Sequence, residues 1–263
     1  MLMKSKSVPR EPGLLYKVGL PVLGPVAFVG LWWLLIVVFH IRAFFLPAPP
    51  DIVTALVHNT SILMSAAWVT LRETLIGFAI AAIGGLLVAL ALTTSRSVRR
   101  AAMPVLVTIN AVPKLAVAPL LVIWLGFNQT PKIVMAALLC FFPVILASMT
   151  GLISTPPDFE ELARSLSASR WKTFTKVRLP GALPQVFVGL KVAAPLAVVG
   201  AVVSEISNAT QGLGYVLAAE AAQSETAIAF AAVALLTIES IGLYYVLVGL
   251  ERLLMPWARE ALA

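Results

Sequence analysis

Residues 156–180 read PPDFEELARSLSASRWKTFTKVRLP, a charged stretch set between two long apolar runs. Two prolines and Asp158 open it as a helix start. Asp158, Glu160 and Glu161 fall in the first turn and Arg164, Arg170, Lys172, Lys176 and Arg178 come later, an order that suits the helix dipole. Phe159, Leu162, Ala163 and Leu166, then Phe174 and Val177, recur at helical spacing. Ala163 and Ser167 are small and four apart, so another surface can approach the backbone there. Leu179-Pro180 and Pro184 are expected to break the chain again. Residue chemistry leaves two readings open: a helix that docks on a partner protein, or one held on lipid headgroups by its basic residues.

Outward from this loop, the composition is that of a chain in lipid. Of 263 residues, 60% are hydrophobic and 12% charged, against about 25% charged in a soluble domain; mean hydropathy is +0.97. A bilayer core needs about 20 apolar residues per helix. Six runs qualify: 19–39, 75–93 (extending back toward Trp68), 103–127, 133–153, 183–203 and 228–250. The fold expected is an all-α membrane protein with six transmembrane helices. The first run is too long for a signal peptide and lacks a small-x-small cleavage site, so it is expected to stay.

Lys and Arg orient the spans. Lys4, Lys6, Arg10 and Lys17, then Arg96, Arg99 and Arg100, then the 156–180 loop, then Arg252 and Arg259 all fall on one side if there are six spans. The opposite loops hold little more than Arg42 and Lys132. Both termini are therefore expected to be cytoplasmic. The organisation is a tail at 1–18, a transmembrane domain at 19–255 carrying the 156–180 loop, and a tail at 256–263. The net charge of +7 is divided among short loops, so it answers to membrane orientation rather than to nucleic acid. On the opposite side, 46–50 (LPAPP) cannot be regular helix; Asp51 can cap a short helix from Ile52, with Val53, Leu56, Val57 and Leu63 on the membrane surface.

Nothing supports chemistry. There is one cysteine, Cys140, and the two histidines, His40 and His58, stand alone, so no metal or disulfide pattern exists. No Gly-x-x-x-x-Gly-Lys-Ser/Thr loop is present, nor His-Glu-x-x-His, nor Gly-x-Ser-x-Gly. No cofactor is expected on this chain.

Ionisable residues inside apolar runs are the functional candidates, because burying them is costly. Lys114 lies in the third run between Pro113 and Pro119, Glu239 near the middle of the sixth, and Glu205 at the end of the fifth; Arg72 and Glu73 begin the second. Lys191, two turns into the fifth, has the length to snorkel. Passage or gate candidates are Asn110, Lys114, Trp124, Glu205 and Glu239. Lys114 either faces a passage and favours an anion or pairs with Glu239 or another carboxylate. Glu205, followed by Gly212-Leu213-Gly214-Tyr215, is an outer gate or a binding-protein contact, or else the end of a helix and a turn. Gly189, Ala193, Ala197 and Ala201, and likewise Gly77, Ala81 and Gly85, make small-residue faces that serve a two-fold interface or the passage wall, or else packing within the chain.

The loop resembles the EAA signature of binding-protein-dependent ABC importer permeases, which runs Glu-Ala-Ala, three residues, Gly, nine residues, Ile-x-Leu-Pro. Here Glu161-Leu162-Ala163, Ser167 and Val177-Arg178-Leu179-Pro180 keep that spacing, with Leu162, Ser167 and Val177 replacing Ala, Gly and Ile. Leu46-Pro47-Ala48-Pro49, the stretches 111–120 (AVPKLAVAPL) and 124–127 (WLGF), Ser169-Arg170-Trp171 and Gly212-Leu213-Gly214-Tyr215 are similar to the nitrate/sulfonate/taurine branch, over roughly residues 45–255. The resemblance implies a type I importer permease in the inner membrane, working with ABC ATP-binding subunits that hold the ATP, an extracytoplasmic solute-binding protein and a second permease subunit, as a homodimer. It implies that the loop docks on the ATPase through Glu160, Glu161, Leu162, Ala163, Leu166, Ser167, Ala168, Arg170 and Trp171. Solutes implied are nitrate, sulfonates or taurine, or pyrimidine and riboflavin-type heterocycles. A secondary transporter or channel would need no ATPase and usually carries an internal repeat, which is not seen.

Overall fold

The computed structural model describes residues 14–154, 157–208 and 210–257 and, within them, the side chains other than those of 14–22, 157, 160, 164 and 208. The tails at 1–13 and 258–263, with their basic residues, and Pro156 lie outside the described residues. The described residues are helical, with no strand: α1 (Leu14–Phe39), α2 (Pro49–His58), α3 (Thr60–Thr93), α4 (Arg96–Ala111), α5 (Lys114–Leu125), α6 (Thr130–Ile153), α7 (Pro157–Ser165), α8 (Arg170–Thr173), a π turn at Phe174–Arg178, α9 (Leu179–Asn208), α10 (Leu213–Ala222) and α11 (Thr226–Leu254).

Four stretches are long and apolar enough to cross a bilayer: Thr60–Thr93, Thr130–Ile153, Arg170–Ser207 and Thr226–Leu254. A fifth is the bent pair α4 and α5, which meet at 86°. The expected straight third span is therefore broken. Val112 is extended (ψ 126°) and Pro113 follows with ψ 103°; proline disfavours a helical conformation in the residue before it.

α6 lies between α3 and α9, and the small-residue faces explain how. A Cβ on Gly77 would stand 2.6 Å from the Ala136 Cβ, and one on Gly189 would stand 2.5 Å from the Ala147 Cβ. Both faces thus press on α6 of the same chain, the packing reading rather than the interface reading. The Cys140 thiol, between them, donates to the Ala193 carbonyl at 3.1 Å. Near one end of this trio, Leu63, Ala66, Val198, Leu213, Val216 and Leu235 form the largest apolar cluster, joining α3, α9, α10 and α11.

Two further expectations are corrected. α2 starts at Pro49, not at Ile52: the prolines occupy its first turn, where a missing N–H costs nothing, and Asp51 accepts from the Ala48 N–H at 3.1 Å. Leu63 is buried in the cluster instead of lying on a membrane surface, because α3 starts at Thr60, thirteen residues before Glu73. Arg72 and Glu73 consequently sit inside α3.

Candidate functional site

The 156–180 loop folds as α7, a tight turn, α8 and the π turn. α7 ends on Ser167 in the left-handed region (φ 55°), and the Ala168 N–H returns to the Ala163 carbonyl at 2.9 Å, the wide bond that closes a helix C-terminus of this kind. Ser169 then caps α8, its hydroxyl accepting from the Lys172 N–H at 3.3 Å. Ala163 is buried against its own chain. Phe159, Leu162, Leu166 and Trp171 are 55%, 57%, 73% and 72% exposed, and Glu161 and Arg170 are exposed beside them. Ser167 is exposed and Ala168 half-buried. The side chain of Glu160 lies outside the described residues.

The expected break at Pro180 is absent. The Leu179 N–H bonds to the Phe174 carbonyl, one residue beyond the α-helical partner, and the chain stays helical through Pro180 and Pro184 into α9. A wider turn relieves the clash between a proline ring and the carbonyl four residues earlier. The loop thus has a sharp turn at Ser167 and no hinge at Pro180.

At another place four helices meet in a buried polar knot. Glu73 of α3 accepts from the Lys132 ammonium of α6 at 3.2 Å. Glu205 of α9 accepts from the Thr70 hydroxyl at 2.7 Å and from the Gly214 N–H at 2.6 Å; the Leu213 N–H donates to that same threonine oxygen at 2.8 Å. Glu205 therefore fixes the first turn of α10, using the unpaired amides of a helix start. It is buried and clamps the end of α9 to the start of α10 in this structure. Lys132, expected in a loop, is buried as well.

The third place is the α4–α5 elbow. Lys114 opens α5 and its ammonium reaches back to the main-chain oxygen and the side-chain oxygen of Asn110, both at 2.8 Å. That carbonyl belongs to the last turn of α4, where the helix itself supplies no amide. Asn110 and Lys114 line a cavity of ≈ 230 Å³ walled by α4, α5 and α6. Trp124, further along α5, is exposed and does not line it. Lys114 does not meet Glu239: its donors are turned to Asn110, and both Glu239 oxygens are buried with no partner among the described residues. Lys191, rather than snorkelling, pairs with Glu251 of α11 at 2.7 Å.

Residues 81–260 match the family described as binding-protein-dependent transport system inner membrane component. The chain belongs to that family. The permease is 35% identical, over 85% of its length and 93% of the relative's, to a probable ABC transporter permease protein of Haemophilus influenzae. It is 32% identical to the formylaminopyrimidine transport permease ThiX of Halalkalibacterium halodurans, over 86% and 94%, and 30% identical to the taurine transport system permease TauC of Escherichia coli, over 87% and 86%. The fold is that of ABC importer permeases: an amino acid ABC transporter crystallised with histidines aligns at TM-score 0.60 and 21% identity, over 76% of the permease and 97% of that chain. The methionine transporter MetNI, inward facing, aligns at 0.57 and 17%, over 72% and 96%.

These findings make the permease an ABC importer subunit of the branch its motifs resemble, a multi-pass membrane protein whose relatives are transport subunits rather than enzymes. Ser167 stands where the EAA signature that the loop resembles has glycine, and its backbone lies in the left-handed region that glycine favours. An L-residue there costs about 1–2 kcal/mol, partly offset by glycine's greater entropy loss. Ser167→Gly is expected to stabilise the permease by up to about 1 kcal/mol in detergent melting, and Ser167→Val to destabilise it by at least as much.

Glu239 carries a second prediction. A buried carboxyl with no partner among the described residues opposes folding, so Glu239→Leu is expected to raise thermal stability by on the order of 1 kcal/mol. An unchanged melting temperature would mean that water or solute reaches the group.

Proposed function

We propose that the permease is one half of the membrane part of an ATP-driven importer, forming the solute passage while a separate ABC ATP-binding subunit supplies the energy through the 156–180 loop. The observation that carries this reading is the exposed apolar row of Phe159, Leu162, Leu166 and Trp171 on a loop otherwise rich in charge. Side chains of this kind at i, i+3 and i+7 are what a helix-binding groove takes up. From Arg170 to Ser207 the chain is one helical stretch of 38 residues, a lever able to carry movement of the docking segment into the bundle between α6 and α11.

The reading has six spans with both termini cytoplasmic. α1, 26 residues long, spans about 39 Å, and the bent α4–α5 pair crosses as one unit; with α3, α6, α9 and α11 these make six. A second copy of the chain completes the passage, and an extracytoplasmic solute-binding protein delivers the solute. The solute is a small anion or organic solute of the nitrate, sulfonate or taurine kind. The formylaminopyrimidine relative favours a second reading, a pyrimidine or riboflavin-type heterocycle.

The test is Leu162→Glu combined with Leu166→Glu, expressed with the partner subunits. Co-purification of the ATPase and uptake are each expected to fall at least about ten-fold, as for loss of two interface anchors, with the permease still in the membrane. Full uptake by the double variant would refute the coupling role.

A further inference from the structure

The buried knot between α3, α6, α9 and α10 holds more negative charge than positive. One turn inward, the three long helices touch through small residues: a Cβ on Gly77 would stand 2.6 Å from the Ala136 Cβ, and one on Gly200 would stand 2.6 Å from the Ala136 Cα. Glu73, Lys132 and Ser204 each lie four residues from those positions, so they share the next layer. Glu205 follows Ser204, and its anchor Thr70 stands three residues before Glu73 on the same buried face of α3. The charged groups around Glu205, among the described residues, are Glu73, Lys132 and Arg72. Arg72 is exposed, and Lys132 is bonded to Glu73. Glu205 itself receives only neutral donors, the Thr70 hydroxyl and the Gly214 N–H. The second Glu73 oxygen and the Ser204 hydroxyl, on side chains that are fully buried, have no partner among the described residues.

We propose that the knot is a proton site, with Glu205 held as the neutral acid at neutral pH, and that losing this proton in alkaline conditions releases the start of α10. Two neighbouring carboxylates in a dry site do not both stay ionised against one ammonium. Lys132 keeps Glu73 ionised, so the proton falls to Glu205. The hydrogen bonds already in place accept it. The Thr70 hydroxyl has one hydrogen and two acceptors in reach, Glu205 Oε1 at 2.7 Å and the Ala66 carbonyl at 3.2 Å. With Glu205 ionised, that hydrogen serves Glu205. With the proton on Oε1, the acid donates to Thr70, Thr70 turns its hydrogen to Ala66, and the threonine oxygen still takes the Leu213 N–H. Oε2 keeps the Gly214 N–H. Removing the proton sets the Glu205 charge against Glu73 and strains the clamp on α10. The site binds its proton whether or not the 156–180 loop docks on an ATPase.

The experiment is reversible unfolding of the purified permease in mixed micelles from about pH 6 to about pH 9, with the infrared carboxylic-acid C=O band of the folded protein recorded alongside. Glutamate in the unfolded chain is ionised throughout this range, so the folded form holds a proton that the unfolded form has lost, and rising pH favours unfolding. The folding constant of the wild type is expected to fall by up to about ten-fold per pH unit as the site empties. Glu205→Gln places an amide NH2 against Thr70 and an oxygen against the Gly214 N–H, as the neutral acid does. It should fold at the acidic end with nearly wild-type stability and lose the pH dependence. An acid band that titrates over the same range should be present in the wild type and in Glu239→Leu, which removes the other unpaired buried carboxyl, and absent from Glu205→Gln. A wild type equally stable across the range, a pH dependence that survives in Glu205→Gln, or a titrating band that does not depend on Glu205 would overturn the proposal. Failure of Glu205→Gln to fold at the acidic end would also overturn it, because the amide reproduces the hydrogen bonds of the neutral acid.

Discussion

Lys132→Met is expected to destabilise the permease by about 3–5 kcal/mol, the usual effect of removing one partner of a buried ion pair. The side chains of Lys132 and Glu73 are 11% and 0% exposed and their charged atoms stand 3.2 Å apart. Without the ammonium, the Glu73 carboxylate is left inside the helix bundle with neither oxygen paired, since its second oxygen already lacks a partner among the described residues. Glu205, anchored to Thr70 one turn away on α3, adds a second carboxylate nearby. Glu73→Leu together with Lys132→Met should recover most of the loss, because replacing a whole buried pair by apolar residues is often neutral or better. A double-mutant cycle on melting midpoints in detergent reads the coupling. A coupling energy near zero would mean the pair is hydrated and not the joint between α3 and α6.

Gly212→Ala should be comparably damaging, at about 3 kcal/mol or more. Gly212 has φ 109° and ψ 164°, a region that is essentially glycine's alone and costs about 1–3 kcal/mol for other residues. A methyl there would also collide with the carboxylate of Glu205. Glu205 cannot step aside without giving up Thr70 and the Gly214 N–H, so the start of α10 should detach from α3 and α9. Hydrogen exchange checks this: amides at 213–216 should lose protection in Gly212→Ala, while those of α6 keep theirs. Retained protection at 213–216 would show that the clamp tolerates a side chain.

The sequence made the long helices legible because apolar length is a direct readout of what a bilayer requires. It located α6, α9 and α11 to within a few residues and placed the charged loop between the right pair. It missed the elbow: the run 103–127 is apolar throughout, so hydropathy passes over the change of direction at Val112-Pro113. It also expected a hinge at Pro180, where a π turn absorbs the proline without stopping the helix. The role of the small-residue faces depended on which neighbour they met, and a pattern within one helix does not name its neighbour. Glu73, Lys132 and Glu205 were discoverable. In the six-span topology the start of the second span, the start of the fourth and the end of the fifth fall on one side, and opposite charges collected there invite a pair. Assigning Lys132 to a loop concealed it. The partner of Lys114 was not legible, because Asn110 lies one turn back in the chain across a break that hydropathy did not show.

The central claim, that the 156–180 loop is a cytoplasmic handle held by the ATPase, is tested most directly by cysteine crosslinking at Leu162 and Leu166. The single native cysteine, Cys140, is buried with its thiol on the Ala193 carbonyl, so Cys140→Ala gives a quiet background. Cysteine at either position is expected to crosslink to the ATP-binding subunit in the assembled importer, with a yield that changes on adding nucleotide, and to resist membrane-impermeant thiol reagents applied outside intact cells. Labelling from outside, or crosslinks to lipid alone with none to the ATPase, would contradict the claim.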